Sequence, residues 1–321
     1  MMSVVIGLSA VIVAIREGEA VVLTVRPRAS EQAGLPFGPF DPGGHRTFEL
    51  ALRAFVTEQT RFELGYVEQL YTFGDMGRDA PLADMGDGNG KARVISVGYL
   101  ALTPHPVDIT ALGAEWASFA RFFPWEDWRG GRPPALGPLE EALKAWCGCG
   151  GPAEGAQRLA RARLLFALDG APWNEERVLE RYELLYEAGL APEAARDRGE
   201  TPARSEALTA ALGEPMISDH RRILATALSR LRGKLKYRPV VFELMPDAFT
   251  LSSLQRTVEA IAGVPLHKQN FRRALERADL VEGLGRLETD TGGRPAELFR
   301  FRRESLAARP VSGLSLPLLR E

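Results

Sequence analysis

The stretch that decides the reading of this chain is His267-Lys-Gln-Asn-Phe-Arg-Arg-Ala-Leu-Glu-Arg-Ala278, with Thr291-Gly-Gly-Arg-Pro295 a short way downstream. Phe271, Ala274, Leu275 and Ala278 share one face at helical spacing, so residues 267–278 predict a helix with one buried side. Gln269, Arg272, Arg273 and Glu276 point away from it. Arginine can bridge guanine O6 and N7, glutamine can pair with adenine, and lysine or arginine can hold phosphate. A face that begins with Lys268, Gln269, Asn270, Arg272 and Arg273 therefore suits a major groove. Strands are expected at 280–287 and 297–302. Between them Gly292 and Gly293 permit a tight turn, and Pro295 stiffens its exit. Arg294 at that tip is placed to enter a minor groove or to meet phosphate.

Upstream, Thr250 fits the N-cap of a helix whose Leu251, Leu254, Val258 and Ile261 face inward, and Gly263 fits its end. The turn Val264-Pro265-Leu266 leads into the basic helix. A helix, a turn, a basic helix and a basic hairpin in this order make a winged helix-turn-helix, whose second helix reaches the bases. Thr250 and Ser252, at the start of the first of these helices, join the expected DNA-binding set. A further helix at 219–235, burying Ile223, Leu224, Ala227, Leu228 and Leu231, is read as opening this domain. Charge agrees: residues 219–304 hold 17 Lys/Arg against 11 Asp/Glu, a net of +6, so the remainder of a chain of net charge −2 carries −8. A basic segment on an acidic body points to a polyanion partner for that segment. The bland alternative is a solvated basic face in a protein-interaction adaptor.

The 321 residues predict two domains with an insert between them. Strands are expected at Val4–Ile15, Ala20–Arg26, Glu68–Phe73 and Val94–Leu102, with one helix at 47–60 burying Phe48, Ala51, Leu52 and Phe55. This pattern predicts a compact α/β sandwich. The apolar opening Val4–Ile15 is too short to cross a membrane and lacks a basic leader, so it reads as half of a β-hairpin. Met76–Lys91 is Gly- and Asp-rich and reads as a loop. Phe119, Phe122, Phe123, Trp125 and Trp128 are expected to close the core of the first domain. From Gly137 to Glu214 the pattern turns helical, with apolar stripes at Leu139, Leu143 and Trp146, at Leu159, Leu164, Leu165 and Leu168, and at Val178, Leu179, Tyr182, Leu185 and Tyr186. The expected division is 1–135, a helical insert at 136–217, the DNA-binding domain at 218–304 and a tail at 305–321. Cys147 and Cys149 are the only cysteines and are expected as free thiols, not metal ligands. The four histidines show no ligand spacing.

The chain resembles the Nudix-related transcriptional regulators of NAD metabolism over about 1–130 and 219–302. The resemblance rests on Gln69-Leu-Tyr-Thr-Phe-Gly-Asp75, Arg93-Val-Ile-Ser-Val-Gly-Tyr-Leu-Ala-Leu102 and Phe122-Phe-Pro-Trp-Glu-Asp-Trp128. In the last domain it rests on His220-Arg-Arg-Ile-Leu-Ala225, Leu231-Arg-Gly-Lys-Leu-Lys-Tyr237, Asn270-Phe-Arg-Arg273 and Gly293-Arg-Pro-Ala296. It implies an α+β multidomain chain with a Nudix-like sandwich and a C-terminal winged helix; the helical insert between them is not part of the common pattern and looks like the longer forms of this group. It also implies a repressor, bound as a homodimer to a palindromic double-stranded DNA operator and controlled by NAD, ADP-ribose or a related nucleotide. No cofactor is required in that picture. The protein is expected in the cytoplasm, at the nucleoid when on DNA, and not in a membrane.

The Nudix box departs from its pattern. With Leu35-Pro-Phe-Gly-Pro-Phe40 aligned to the family's Leu-Pro-Gly-Gly-Phe, Arg53 matches the arginine of the box. The helical carboxylates become Ala54, Thr57 and Glu58, and the upstream glutamate becomes His45. A second register from Gly43 keeps Glu49 and Glu58 but puts Arg61 and Phe62 where the final glutamates belong. One isolated carboxylate is a poor Mg²⁺ site, because that ion needs several oxygen ligands. The expectation is therefore a chain with no catalytic residues and no metal site. Arg26, Arg28, Arg53 and Glu58 are the expected ligand-binding residues. The rival is an active hydrolase of ADP-ribose-like pyrophosphates, drawing Mg²⁺ ligands from Asp75, Asp79, Asp84 or Asp87.

Overall fold

A computed structural model of the chain describes residues 4–27, 31–60, 64–75, 93–106, 113–288 and 295–303, the side chain of Tyr237 aside. The N-terminal body is built on one mixed sheet. Its strands are β1 (Val4–Arg16), β2 (Glu19–Val25), β3 (Phe37–Pro39), β4 (Tyr66–Phe73), β5 (Arg93–Leu102) and β6 (Ala114–Ser118). Their order is β4-β5-β1-β2-β6, with β3 also paired to β1. β1 and β5 run parallel, from Val4 beside Arg93 to Val13 beside Leu102, and the other pairs are antiparallel. The opening hairpin turns at Glu17 and Gly18, both with positive φ.

Both faces of the middle of this sheet are covered, which is why β1 and β2 read as apolar runs without polar alternation, whereas the edge strand β4 keeps exposed polar residues. Leu8, Ala10 and Ile12 face the helix α1 (Phe48–Thr60), through Ala51, Leu52 and Val56. Val11 and Val13, one residue out of phase, face a larger core with Leu100, Leu102, Phe122, Phe123 and Trp125. The sandwich and the aromatic closure follow the sequence expectation. The inner face of α1 differs from it: Val56 and Thr60 are buried, while Phe48 and Phe55 are only half-buried. Those two rings pack sideways on the β3 region, Phe48 edge-on to Phe40 at 4.5 Å and Phe55 beside Gly38.

After α2 (Phe119–Phe122), the insert forms α3 (Leu136–Cys147), α4 (Pro152–Phe166), α5 (Val178–Glu187), α6 (Pro192–Arg198) and α7 (Glu206–Ala211). Pro152 and Pro192 sit in the first turns of their helices, where no amide hydrogen is needed. Leu139, Leu143, Leu165, Leu168, Val178, Tyr182 and Leu185 all enter the larger core. Leu164 does not: it is 49% exposed, because Ala162, Leu165 and Phe166 take the inner side of α4. Cys147 is buried, Cys149 is exposed, and neither is in a disulfide.

The helix α8 (His220–Tyr237) was expected at the head of the DNA-binding domain. It packs on α5 and against β1, β4 and β5, and also on residues Val240–Leu244 and Leu251–Ala262 that follow it. Its apolar side is broad enough to serve several partners, with Ile223, Leu224, Ala227, Leu228, Leu231 and Leu235 all buried. A buried 3₁₀ turn at Val240–Leu244 then leads to β7 (Phe249–Thr250), α9 (Leu251–Ala262), α10 (Lys268–Ala278), β8 (Val281–Glu288) and β9 (Ala296–Phe301). The last three strands form a sheet in the order β7-β9-β8. Phe242 stacks on Phe301 with ring centroids 4.1 Å apart, fixing the wing to the 3₁₀ turn. This is the expected winged helix, with element ends shifted by a residue or so. Among the described residues, no helix is long and apolar enough to cross a membrane.

Candidate nucleic-acid interface and sensor residues

In α10, Phe271, Ala274 and Leu275 are buried, while Lys268, Gln269, Asn270, Arg272, Arg273, Glu276 and Arg277 are exposed. One side is thus anchored in the core and the other presents a polar, cationic arc. No side chain caps the N-terminus of α10. Its first amide hydrogens, at the positive end of the helix dipole, suit a phosphate. Arg277 lay outside the set picked from the sequence, although it is as exposed as Arg272. Arg286, exposed on β8, was also missed.

The angle between α9 and α10 is set by two polar side chains that the sequence did not flag. Glu259 accepts the Leu266 amide hydrogen bond at 2.9 Å, and Gln255 Nε2 donates to Glu259 at 2.9 Å and to the Leu266 carbonyl at 3.0 Å. Their spacing of four puts both over the turn. Gly263, at φ +70°, ends α9 in the left-handed conformation that glycine adopts without steric cost.

Thr250 is placed differently from the DNA-contact expectation. It is buried, and its hydroxyl accepts the Ser253 amide hydrogen bond at 3.1 Å, while Ser253 Oγ accepts from the Thr250 amide at 3.1 Å. This reciprocal capping box occupies the side chain inside the domain. Ser252 is exposed, one turn position further on.

At the base of the wing, Arg302 Nη1 donates to Asp279 at 2.8 Å, the residue that ends α10, and the Arg302 amide donates to the Leu280 carbonyl at 2.9 Å. Arg300 pairs with Glu282 across the two strands. Gly292, Gly293 and Arg294 lie outside the described residues.

The expected ligand residues of the first domain are dispersed. Arg26 is exposed and lies 3.4 Å from Glu115. Arg53 is tied up locally: it pairs with Glu49 at 2.9 Å and donates to the carbonyls of Leu64 and Gly65, the latter at 3.1 Å. That makes Arg53 a brace between α1 and the start of β4, at odds with a free phosphate ligand. Glu58 is exposed on the outer side of α1 with Ala54 and Thr57. Arg28 lies outside the described residues, as do Arg61, Phe62, residues 76–91 with Asp79, Asp84 and Asp87, and residues 305–321. Asp75 forms an ion pair with Arg222 of α8. Among the described residues no three His, Cys, Asp or Glu side chains cluster as a metal site would require.

Residues 241–301 match the family model of the NrtR DNA-binding winged helix domain. The C-terminal winged helix is similar to that family's domain over this segment. The chain is 40% identical over 98 residues to the ADPR responsive transcriptional repressor NtrR of Acinetobacter baylyi, a match spanning 29% of this chain and 37% of that relative. Among solved structures, Shewanella oneidensis NrtR complexed with a 27mer DNA aligns over 94% of this chain and 95% of its own, with TM-score 0.54 and 20% identity. A MutT/nudix family protein from Enterococcus faecalis aligns over 94% of this chain and 88% of its own, with TM-score 0.51 and 14% identity. These two likenesses show a shared fold: a Nudix-like domain followed by a winged helix.

The winged helix is joined to the N-terminal body through buried charge. Glu126, after α2, faces Arg181 of α5 at 2.5 Å and Arg232 of α8 at 2.5 Å, all three nearly inaccessible to solvent. Arg232 Nε also donates to the Ile261 carbonyl in α9 at 2.8 Å, and the Trp128 amide donates to the Gly263 carbonyl at 2.6 Å. A second buried pair, Arg221 with Glu193 at 3.3 Å, holds α8 to α6. At the other end of the connection, the Leu35 amide donates to Nδ1 of buried His220 at 2.9 Å. Burial pushes that imidazole down to about 3, with Arg196 adding to the effect, so it stays neutral and accepts. The sequence held one signal for the arginines: Arg181, Arg221 and Arg232 interrupt apolar stripes.

Proposed function

We propose that this chain is a transcriptional repressor of NAD-metabolism genes, whose winged helix binds a DNA operator and whose Nudix-like domain binds ADP-ribose or a related nucleotide without turning it over. The observation that carries this is the exposed basic arc of α10, within a segment that matches a DNA-binding family. The effector is drawn from the curated relative, described as ADPR responsive. Binding as a homodimer to a palindromic site, in the cytoplasm, belongs to the same proposal, since two-fold protein symmetry matches two half-sites about one helical turn apart.

Loss of catalysis fits α1, where Ala54 and Thr57 stand beside Glu58 at the positions of the family's carboxylates. Control of DNA binding requires different ligand affinity in the two states. A ligand that shifts the Leu35 loop acts on α8 through His220, and α8 reaches α9 through Arg232. The test pairs selection of bound sequences from a random DNA library with an assay for AMP release from ADP-ribose in Mg²⁺. Enrichment of one operator without AMP release supports the proposal. Efficient Mg²⁺-dependent release would make the chain a hydrolase.

A further inference from the structure

A cavity of about 860 Å³ opens between the edge strand β4, α5 and α8. That volume lies within the roughly 300–1,000 Å³ of small-molecule sites. None of Arg26, Arg53 and Glu58 lines it. Three cations, Arg230, Lys234 and Arg238, stand there with one carboxylate, Glu68. Glu68 Oε2 accepts from the Tyr66 hydroxyl at 2.6 Å and from Lys234. Burial by itself pushes the Glu68 carboxyl up, but the hydrogen bonds from Lys234 and Tyr66 outweigh it and hold the group below its ordinary value. Glu68 is therefore ionised and pairs with Lys234, and Glu68 Oε1 has no hydrogen-bond partner among the described residues. Arg230 and Arg238 are exposed, and neither is paired among the described residues.

Two unpaired guanidinium groups match the oxygens of a phosphate, and a carboxylate oxygen with a free lone pair matches a hydroxyl. Both features meet in one molecule when the phosphate is carried on a sugar. We propose that this cavity binds a phosphorylated sugar, free or as the end of a nucleoside diphosphate sugar, with its phosphate on Arg230 and Arg238 and a sugar hydroxyl donating to Glu68 Oε1. Such a ligand bridges the sheet edge, the insert and the helix that leads into the winged helix.

The test is calorimetric titration of the full chain without DNA, so its outcome is separate from whether the chain regulates transcription. The probes are ribose 5-phosphate, inorganic phosphate and ADP-ribose. Wild type is expected to bind ribose 5-phosphate more tightly than phosphate. The double variant Arg230→Ala/Arg238→Ala should weaken both by about tenfold or more, a loss of about 1.4 kcal/mol. Glu68→Gln should weaken ribose 5-phosphate while sparing phosphate, and Arg256→Ala, an exposed charge elsewhere, should change neither. Competition by ADP-ribose would assign the nucleotide-linked sugar phosphate to this cavity, and its absence would assign the free sugar phosphate. Unchanged affinity in the double arginine variant, or no binding of ribose 5-phosphate by wild type up to about 10 mM, would overturn the proposal.

Discussion

Arg232 and Glu126 meet at 2.5 Å with both side chains only 3% exposed, although 106 residues separate them in the chain. Glu126 also answers Arg181, so one carboxylate serves two buried guanidinium groups. Burying a charge is tolerable only when it is paired and hydrogen-bonded. Replacing Glu126 with glutamine keeps the shape, leaves Arg181 without its ion pair and leaves Arg232 with only the longer-range charge of Glu175. The expected cost is about 3–5 kcal/mol in urea unfolding. A loss below about 0.5 kcal/mol would mean that the network adds no stability.

His220 gives the fold a pH dependence with a definite sign. Its folded value is pushed down to about 3, while an unfolded histidine titrates near 6.5. Between those limits the unfolded chain takes up a proton that the folded chain refuses, so acid favours unfolding. His220 therefore contributes stability that is fully present above about pH 6.5 and drains away at up to about 1.4 kcal/mol per pH unit below it. His220→Gln retains an acceptor for the Leu35 amide and removes the titration. Between pH 7 and pH 5, wild type should lose more stability than this variant in matched urea curves. Parallel losses would show that the imidazole is protonated in the folded state.

Thr250 and Ser252 separate capping from DNA contact. Thr250→Ala removes a buried cap and should cost about 1 kcal/mol of stability. Ser252 is exposed, so Ser252→Ala should leave stability within about 0.5 kcal/mol. Equal effects on the melting temperature would contradict the capping role.

Arg272 and Arg273 lie on the exposed arc of α10, so replacing them should leave the fold intact. Arg272→Ala should cost about 1–3 kcal/mol in operator affinity and, if it reads a base, relax sequence preference there. An arginine that meets only phosphate should weaken all sequences alike and lower the salt dependence. Fluorescence anisotropy across a salt series distinguishes the two. Wild-type affinity in both single variants would remove α10 from the interface.

What the sequence disclosed follows from what periodicity carries. β1, β2, α9, α10 and the wing strands were legible because each repeats one pattern over its own length. The packing of α8 on the N-terminal sheet and α5 was not, because an apolar stripe states that a face is buried and not which neighbour buries it. Leu164 and Phe55 erred for a related reason: helical spacing allows a broad face, and packing chooses which edge of it turns inward. The Glu126 hub and the β4–α8 cavity were not legible as sites because their members lie far apart in the chain: an arginine that interrupts an apolar stripe marks a buried charge without naming its partner, and the charges of the cavity each look like surface charge. Thr250 was read for two roles, and only its geometry gives the hydroxyl to the cap.

The central claim is that one chain joins ligand sensing to DNA binding. It is tested most directly by measuring the affinity of the full-length protein for its selected operator, by anisotropy, with and without saturating ADP-ribose. The account predicts specific binding whose affinity ADP-ribose changes by about fivefold or more, a coupling of at least about 1 kcal/mol. Operator affinity that is identical with and without ADP-ribose, in a protein shown to bind that ligand, would contradict it.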